Sequence, residues 1–224
     1  MWARLQAHWR AKLLLTITLN VIFWAGYSVL GHWPLFPVRV PLTTWLDRAI
    51  PYQPEPWAWV YLSQFLLVSL LPWMLDTAEG LRRYVGGVAF LCGVSFTLFL
   101  LFPVASPRPP MGATTGAMHW ILAYDGAFNA FPSLHAGFLA YLTALGWRLF
   151  CHRLPPAFMA AAMLWAALIL YATIATRQHY AVDLVAGAII GYVADRLAWR
   201  SSSGVSAAPA MARSRGVESQ SGWK

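Results

Sequence analysis

Two histidines, one carboxylate and two arginines stand at the edges of apolar blocks, where an ionisable side chain is costly unless it has a partner or a task. His179 and Asp183 are four residues apart, about 40° around a helix, so imidazole and carboxylate share one face. A carboxylate bonded to one ring nitrogen fixes the tautomer and leaves the other lone pair free to attack an electrophile. The pair therefore reads as nucleophile and orienting group; it also reads as a structural pair at a helix start, or as two metal ligands. Phe131-Pro132-Ser133-Leu134-His135 looks like a helix start, whose unpaired amides favour a phosphate oxygen. His135 in that first turn suits a general acid near neutral pH; a plain helix cap is the other reading. Arg108, in Ser106-Pro107-Arg108-Pro109-Pro110, and Arg177 offer guanidinium forks for phosphoryl oxygens, or side chains that snorkel to headgroups.

The elements that must carry these residues follow from composition. Of 224 residues only 11% are charged, 59% are hydrophobic and 13 are Trp, against roughly 25% charged in soluble chains. Disordered, collagen-like and disulfide-scaffold classes are excluded, and a membrane protein remains. The net charge of +8 is not clustered with aromatics, so no nucleic-acid partner is expected. A bilayer core needs roughly 20 helical residues. Uncharged blocks at 13–30, 57–75, 84–105 and 154–176 meet this, and weaker blocks at 133–150 and 180–199 bring the expectation to six spans. The fold class expected is an all-α membrane helical bundle over 1–200, with core motifs at 101–195 and a flexible cytoplasmic tail at 201–224. With the N-terminus inside, twelve Lys and Arg lie inside and four outside, which fits the positive-inside rule. Both termini are then cytoplasmic, and the Ala/Trp/Arg-rich composition hints at a bacterial inner membrane with a periplasmic outer face. Residues 40–50 read as a short amphipathic stretch along the outer interface. Gly187 and Gly191, with Gly86, Gly87 and Gly93, read as close helix packing.

Span parity links the pieces. Arg108 and His135 flank one loop, and two spans separate His135 from Arg177 and His179, so all emerge on one side. Together they form an anion-binding, phosphoryl-transfer site. Competing classes are a lipid carrier or channel, with the same groups as a polar pathway, and a zinc enzyme with His135, His179 and Asp183 as ligands. Asp125 and His119, in the outer loop, could line an acceptor or headgroup site or be ordinary loop polarity.

Arg108-Pro109, Phe131-Pro132-Ser133-Leu134-His135-Ala136-Gly137 and Arg177-Gln178-His179-Tyr180-Ala181-Val182-Asp183 resemble the three motifs of the type 2 phosphatidic acid phosphatase superfamily. The resemblance implies a six-helix membrane phosphoesterase acting on phosphorylated lipids without a metal or other cofactor. His179 would be the nucleophile, Asp183 its orienting group and His135 the acid for the leaving group, while Arg108, Arg177 and Ser133 hold the phosphate. Three departures stand out. Leu101 replaces the first motif's lysine, Leu134 replaces the glycine before the second motif's histidine, and Ala172-Thr173 replace the usual Ser-Arg. The variants Pro-Ser-Leu-His and Gln-His-Tyr-x-x-Asp are similar to the branch containing inositol phosphorylceramide synthases, so hydrolase and transferase both remain open.

Overall fold

The computed structural model describes residues 2–41, 43–108 and 116–200. The expected tail, 201–224, and Pro109 of the first motif lie outside them. The chain runs through α1 (Trp2–Gln6), α2 (Trp9–His32), α3 (Trp45–Ala49), α4 (Pro54–Leu62), α5 (Gln64–Leu70), a 3₁₀ turn (Leu71–Met74), α6 (Ala78–Leu101), α7 (Gly116–Tyr124), α8 (Leu134–Phe150), α9 (Pro156–Ala175) and α10 (Ala181–Trp199). The architecture is an all-α membrane bundle, as the composition requires.

Helix starts follow local chemistry. The Thr77 side chain accepts from the Gly80 amide at 3.0 Å, and Glu79 in the first turn pairs with Arg82 and Arg83, so α6 begins six residues before its apolar block. Pro156 opens α9, where a missing amide hydrogen costs nothing. The expected block 57–75 is broken at Ser63: its hydroxyl donates to the Val60 carbonyl and accepts from the Trp165 indole, competing with the helical ladder. The expected end of the third span at 105 moves back to Leu101, because the residues that follow pair with other segments.

Four helical stretches are long and apolar enough to cross a bilayer: Trp9–His32, Pro54–Met74, Ala78–Leu101 and Pro156–Ala175. Only 6% of the α2 apolar window is buried, and Val21, Phe158, Leu164 and Val185 are likewise exposed. Apolar surface on this scale belongs in lipid. α8, at 17 residues, and α10, with Asp183, Asp195 and Arg196, fall outside that set of four. Their charges are largely turned inward: Asp183 is fully buried, and Asp195 is buried and paired with Arg148 of α8.

α8 is the central helix, packed on α5, α6, α9 and α10, and most closely on α10. Glycine makes that approach possible. A β-carbon at Gly187 would overlap the Ser133 carbonyl, and one at Gly191 the Gly137 carbonyl. Gly87 lies equally tight against the Tyr141 ring, whereas Gly86 and Gly93 meet open space and pack against nothing. The core around α8 joins Tyr27, Leu91, Phe99, Phe138, Tyr141 and Leu142.

Candidate active site

At the end of the bundle where α2 and α6 finish, three chain segments lie side by side. Arg39 bridges Val104, and Val104 bridges Asn129, both in parallel register. The Val104 amide donates to the Phe128 carbonyl, the Ser106 amide to the Ala127 carbonyl, and the Ala130 amide to the Val104 carbonyl. The segment leading to Arg108 is thereby fixed against the segment leading to His135. A second stitch ties that segment to α10, because the Ser133 amide donates to the Asp183 carbonyl at 2.9 Å. The three sequence motifs are thus joined by backbone hydrogen bonds before any side chain is considered.

His179 follows the end of α9. The Gln178 amide donates to the Thr173 carbonyl and the Arg177 amide to the Ile174 carbonyl, the pattern of a Schellman cap. Arg177 occupies the left-handed position at φ 56°. The turn places the His179 Nδ1 atom 2.9 Å from the Ala130 carbonyl oxygen. A carbonyl only accepts, so Nδ1 carries the proton and Nε2 holds the free lone pair. Asp183 was expected to take this bond, but its Oδ2 lies 3.9 Å from Nδ1 and accepts the Tyr180 amide at 2.8 Å instead. Asp183 therefore caps its own helix beside the imidazole. Burial pushes the His179 pKa down, to about 4; the Asp125 charge and the Ala130 carbonyl oppose that shift, and Arg108 adds to it. The ring is neutral at pH 7.

His135 lies in the first turn of α8, where the Ser133 hydroxyl oxygen accepts the Ala136 amide at 3.3 Å. Its ring centroid is 5.9 Å from that of His179. Tyr61 of α4 stacks on His135 at 4.0 Å and 23°, with its hydroxyl 3.2 Å from Nδ1. The same hydroxyl lies 3.4 Å from Asp125 Oδ2. Arg108 pairs with that carboxylate at 2.9 Å and donates to the Asp125 backbone carbonyl at 2.6 Å. Arg108 Nε, Asp125 Oδ1, His135 Nε2 and Asp183 Oδ1 are buried with no hydrogen-bond partner. Four such atoms among these residues mark a place built for something polar.

Arg177 departs from expectation. Its guanidinium donates to the backbone carbonyls of Asp47 and Ile50, at 2.7 and 3.1 Å. The Asp47 carboxylate completes the clamp, accepting the Ala181 amide at 2.7 Å and the Thr44 amide and hydroxyl. Residues 45–49 therefore form a capped turn locked onto the α9–α10 corner, and Arg177 holds that lock instead of joining Arg108. His119 is exposed on α7, away from the buried cluster, whereas Asp125 is part of it. Tyr61 and the Ala130 carbonyl escaped the sequence reading. A tyrosine inside an apolar block and a backbone oxygen carry no pattern that would single them out.

A cavity of about 610 Å³ has Asp125, His135, Tyr61 and Tyr27 among its lining and reaches Lys12. From Lys12 to Tyr27 is 15 residues of α2, about 22 Å of helix. Its walls are almost entirely apolar and aromatic, including Phe23, Phe96 and Phe138. Lys12 ends it as a satisfied cation, donating to the Arg4 and Trp73 carbonyls. Among the described residues no three His, Cys, Asp or Glu side chains gather closely enough to hold a metal ion.

An all-α membrane bundle in which two imidazoles and a paired guanidinium cluster together, with His135 among the lining of an apolar cavity, defines an integral membrane protein with a buried polar site. The chain belongs to the PAP2 superfamily, whose profile matches residues 80–205; its members are phosphoric ester hydrolases or phosphotransferases. Comparison with curated proteins and with solved structures gave no match. The matched region holds Arg108, His135 and His179 but not Tyr61.

Proposed function

We propose that the protein is an integral membrane lipid phosphatase working through a phosphohistidine. The observation that carries this reading is the pair of imidazoles with ring centroids 5.9 Å apart, His179 with its Nδ1 bonded to a carbonyl and His135 with a buried, unpartnered Nε2. A phosphate monoester monoanion gives its proton to His135 Nε2 on binding; His179 Nε2 then attacks phosphorus in line, and His135 Nε2 delivers that proton to the departing lipid oxygen. The P–O bond to the lipid breaks as the P–N bond forms. Water then attacks the phosphohistidine and gives a proton to His135, the P–N bond breaks, and phosphate leaves carrying that proton, which returns His135 to its neutral form. Arg108 and the Ser133 helix start balance charge on the equatorial oxygens. Asp183 limits the movement of His179. The apolar cavity receives the lipid tail.

A transferase is the second reading, supported by Asp125 Oδ1, buried and unpartnered near His135, which suits an acceptor hydroxyl. In that case an alcohol replaces water in the second step. On topology, we propose six traverses, with α8 shielded by its neighbours and α10 turning its acids inward and Val185 and Ile189 toward lipid, both termini cytoplasmic and the site on the periplasmic side of a bacterial inner membrane. The twelve-to-four distribution of basic residues supports this orientation.

The test is to incubate purified protein with a panel of phosphorylated lipids, with and without alcohol acceptors, and to measure free phosphate against transferred headgroup. Phosphate release abolished by His179→Ala is expected. Turnover retained in that variant removes the mechanism.

A further inference from the structure

We propose that Tyr61, backed by Asp125, is the positioning residue for His135, holding Nδ1 so that Nε2 alone exchanges a proton with the lipid oxygen. The inference rests on the phosphoesterase reading above and assigns a task to a helix outside the family-matched region. His135 needs such a partner. A general acid that later acts as a base must present the same nitrogen both times, and an imidazole does so only when its other nitrogen is engaged. For His179 the Ala130 carbonyl supplies that engagement; for His135 the only side chain bonded to Nδ1 among the described residues is Tyr61.

The direction of the bonds follows from the partners. Tyr61 Oη has one proton and two neighbours, His135 Nδ1 at 3.2 Å and Asp125 Oδ2 at 3.4 Å. The Asp125 carboxylate, paired with Arg108, only accepts, so the phenol proton goes to Asp125 and the Nδ1 proton goes to the phenol oxygen. This leaves His135 as the Nδ1–H tautomer with its lone pair on Nε2. When Nε2 is protonated, the positive ring is supported through the phenol by the Asp125 carboxylate. The ring is held by shape as well: Tyr61 stacks on one side, and Phe65 meets it edge-on at 6.0 Å. Tyr61 is 2% exposed, so water does not compete for the bond. Because the same Asp125 also holds Arg108, one carboxylate connects the group that grips the phosphate to the group that protonates the leaving oxygen.

A structural aromatic and a positioning aromatic differ in how their loss depends on the leaving group. An alkyl phosphate needs its departing alkoxide protonated, whereas a nitrophenyl phosphate releases a stable anion without help. Tyr61→Phe keeps the ring and removes only the hydroxyl. Hydrolysis of a long-chain alkyl phosphate by this variant is expected to lose roughly 10–100-fold in kcat, part of the roughly 100- to 10,000-fold that a positioned acid supplies, with KM within about twofold. The first-turnover burst of 4-nitrophenol from 4-nitrophenyl phosphate, which precedes the base-dependent second step, is expected to slow by less than about threefold. Equal losses on both substrates, or none on either, would overturn the inference while leaving the phosphoesterase reading in place. Wild-type protein inactive toward both would overturn the reading and the inference together. A second measurement does not depend on the variant folding. In ¹⁵N spectra of histidine-labelled wild-type protein at pH 7, with His135 assigned through His135→Gln, neutral Nδ1–H is expected, and neutral Nε2–H contradicts the proposal.

Discussion

Ala130 holds the catalytic candidate His179 by its backbone oxygen, 2.9 Å from Nδ1, while Asp183, the side chain four residues on, stays 3.9 Å away. A backbone acceptor from the segment leading to His135 thus orients the imidazole that follows α9. The relationship couples two motifs directly: anything that shifts the 128–133 segment also shifts the nucleophile candidate.

The burial of His179 makes stability depend on pH. Its pKa of about 4 in the folded protein lies below the roughly 6.5 of an unfolded histidine, so between these values the unfolded chain binds more protons. The contribution is fully present above pH 6.5 and is lost as pH falls through about 4, amounting to about 3 kcal/mol over the window. Thermal melts in detergent from pH 7.5 to 4 should show a steeper loss of Tm for wild type than for His179→Gln. Parallel curves would contradict this assignment.

Gly187 marks the closest approach of α8 and α10. Gly187→Ala should force the Ser133 carbonyl and the α10 backbone apart, costing about 1–3 kcal/mol and most of the activity, since Ser133 and Asp183 are bonded across that contact. Gly86→Ala, in open space on α6, should be neutral or slightly stabilising by helix propensity. Tm and phosphate release, measured on both variants, separate the two expectations.

The two arginines should separate by readout. Arg108→Ala removes the guanidinium beside His135 and should reduce kcat/KM by about 100-fold or more, the scale of one lost charge-stabilising donor, and should also lower Tm because the Asp125 carboxylate loses its partner. Arg177→Ala breaks the clamp on the Asp47 and Ile50 carbonyls and should lower stability by about 1–3 kcal/mol while KM stays near wild type. A large KM rise in Arg177→Ala without a Tm change would restore the phosphate-binding role that its place in the third motif suggests.

Much of this was legible in the sequence, and the remainder has identifiable physical causes. The uncharged blocks located α2, α6 and α9 within a few residues because a bilayer leaves little freedom in helix length and composition. Their ends were less legible: Thr77 extends α6 backward by capping, and Ser63 interrupts the second block through hydrogen bonds to Val60 and Trp165 that depend on tertiary contact. Residues 116–124 read as loop but form α7, whose start is held by the Glu55 carboxylate bonded to the Ala117 amide. The ionisable residues of the site were visible because charge is rare in such a chain. The side to which Arg177 turns was not, since a left-handed turn at the end of α9 decides it. Tyr61 was hidden for the opposite reason: an aromatic in an apolar block looks the same whether it fills space or holds a histidine.

The central claim is that His135, His179 and Arg108 act on a single phosphorus atom, and trapping the intermediate tests it most directly. Rapid quenching of the purified protein with a radiolabelled lipid phosphate should give an acid-labile, alkali-stable label on the peptide containing His179. That label should be absent in His179→Ala and should persist longer in His135→Ala with a nitrophenyl substrate, because the second step then lacks its base. Steady turnover with no label on His179, or a label on another residue, would contradict the account.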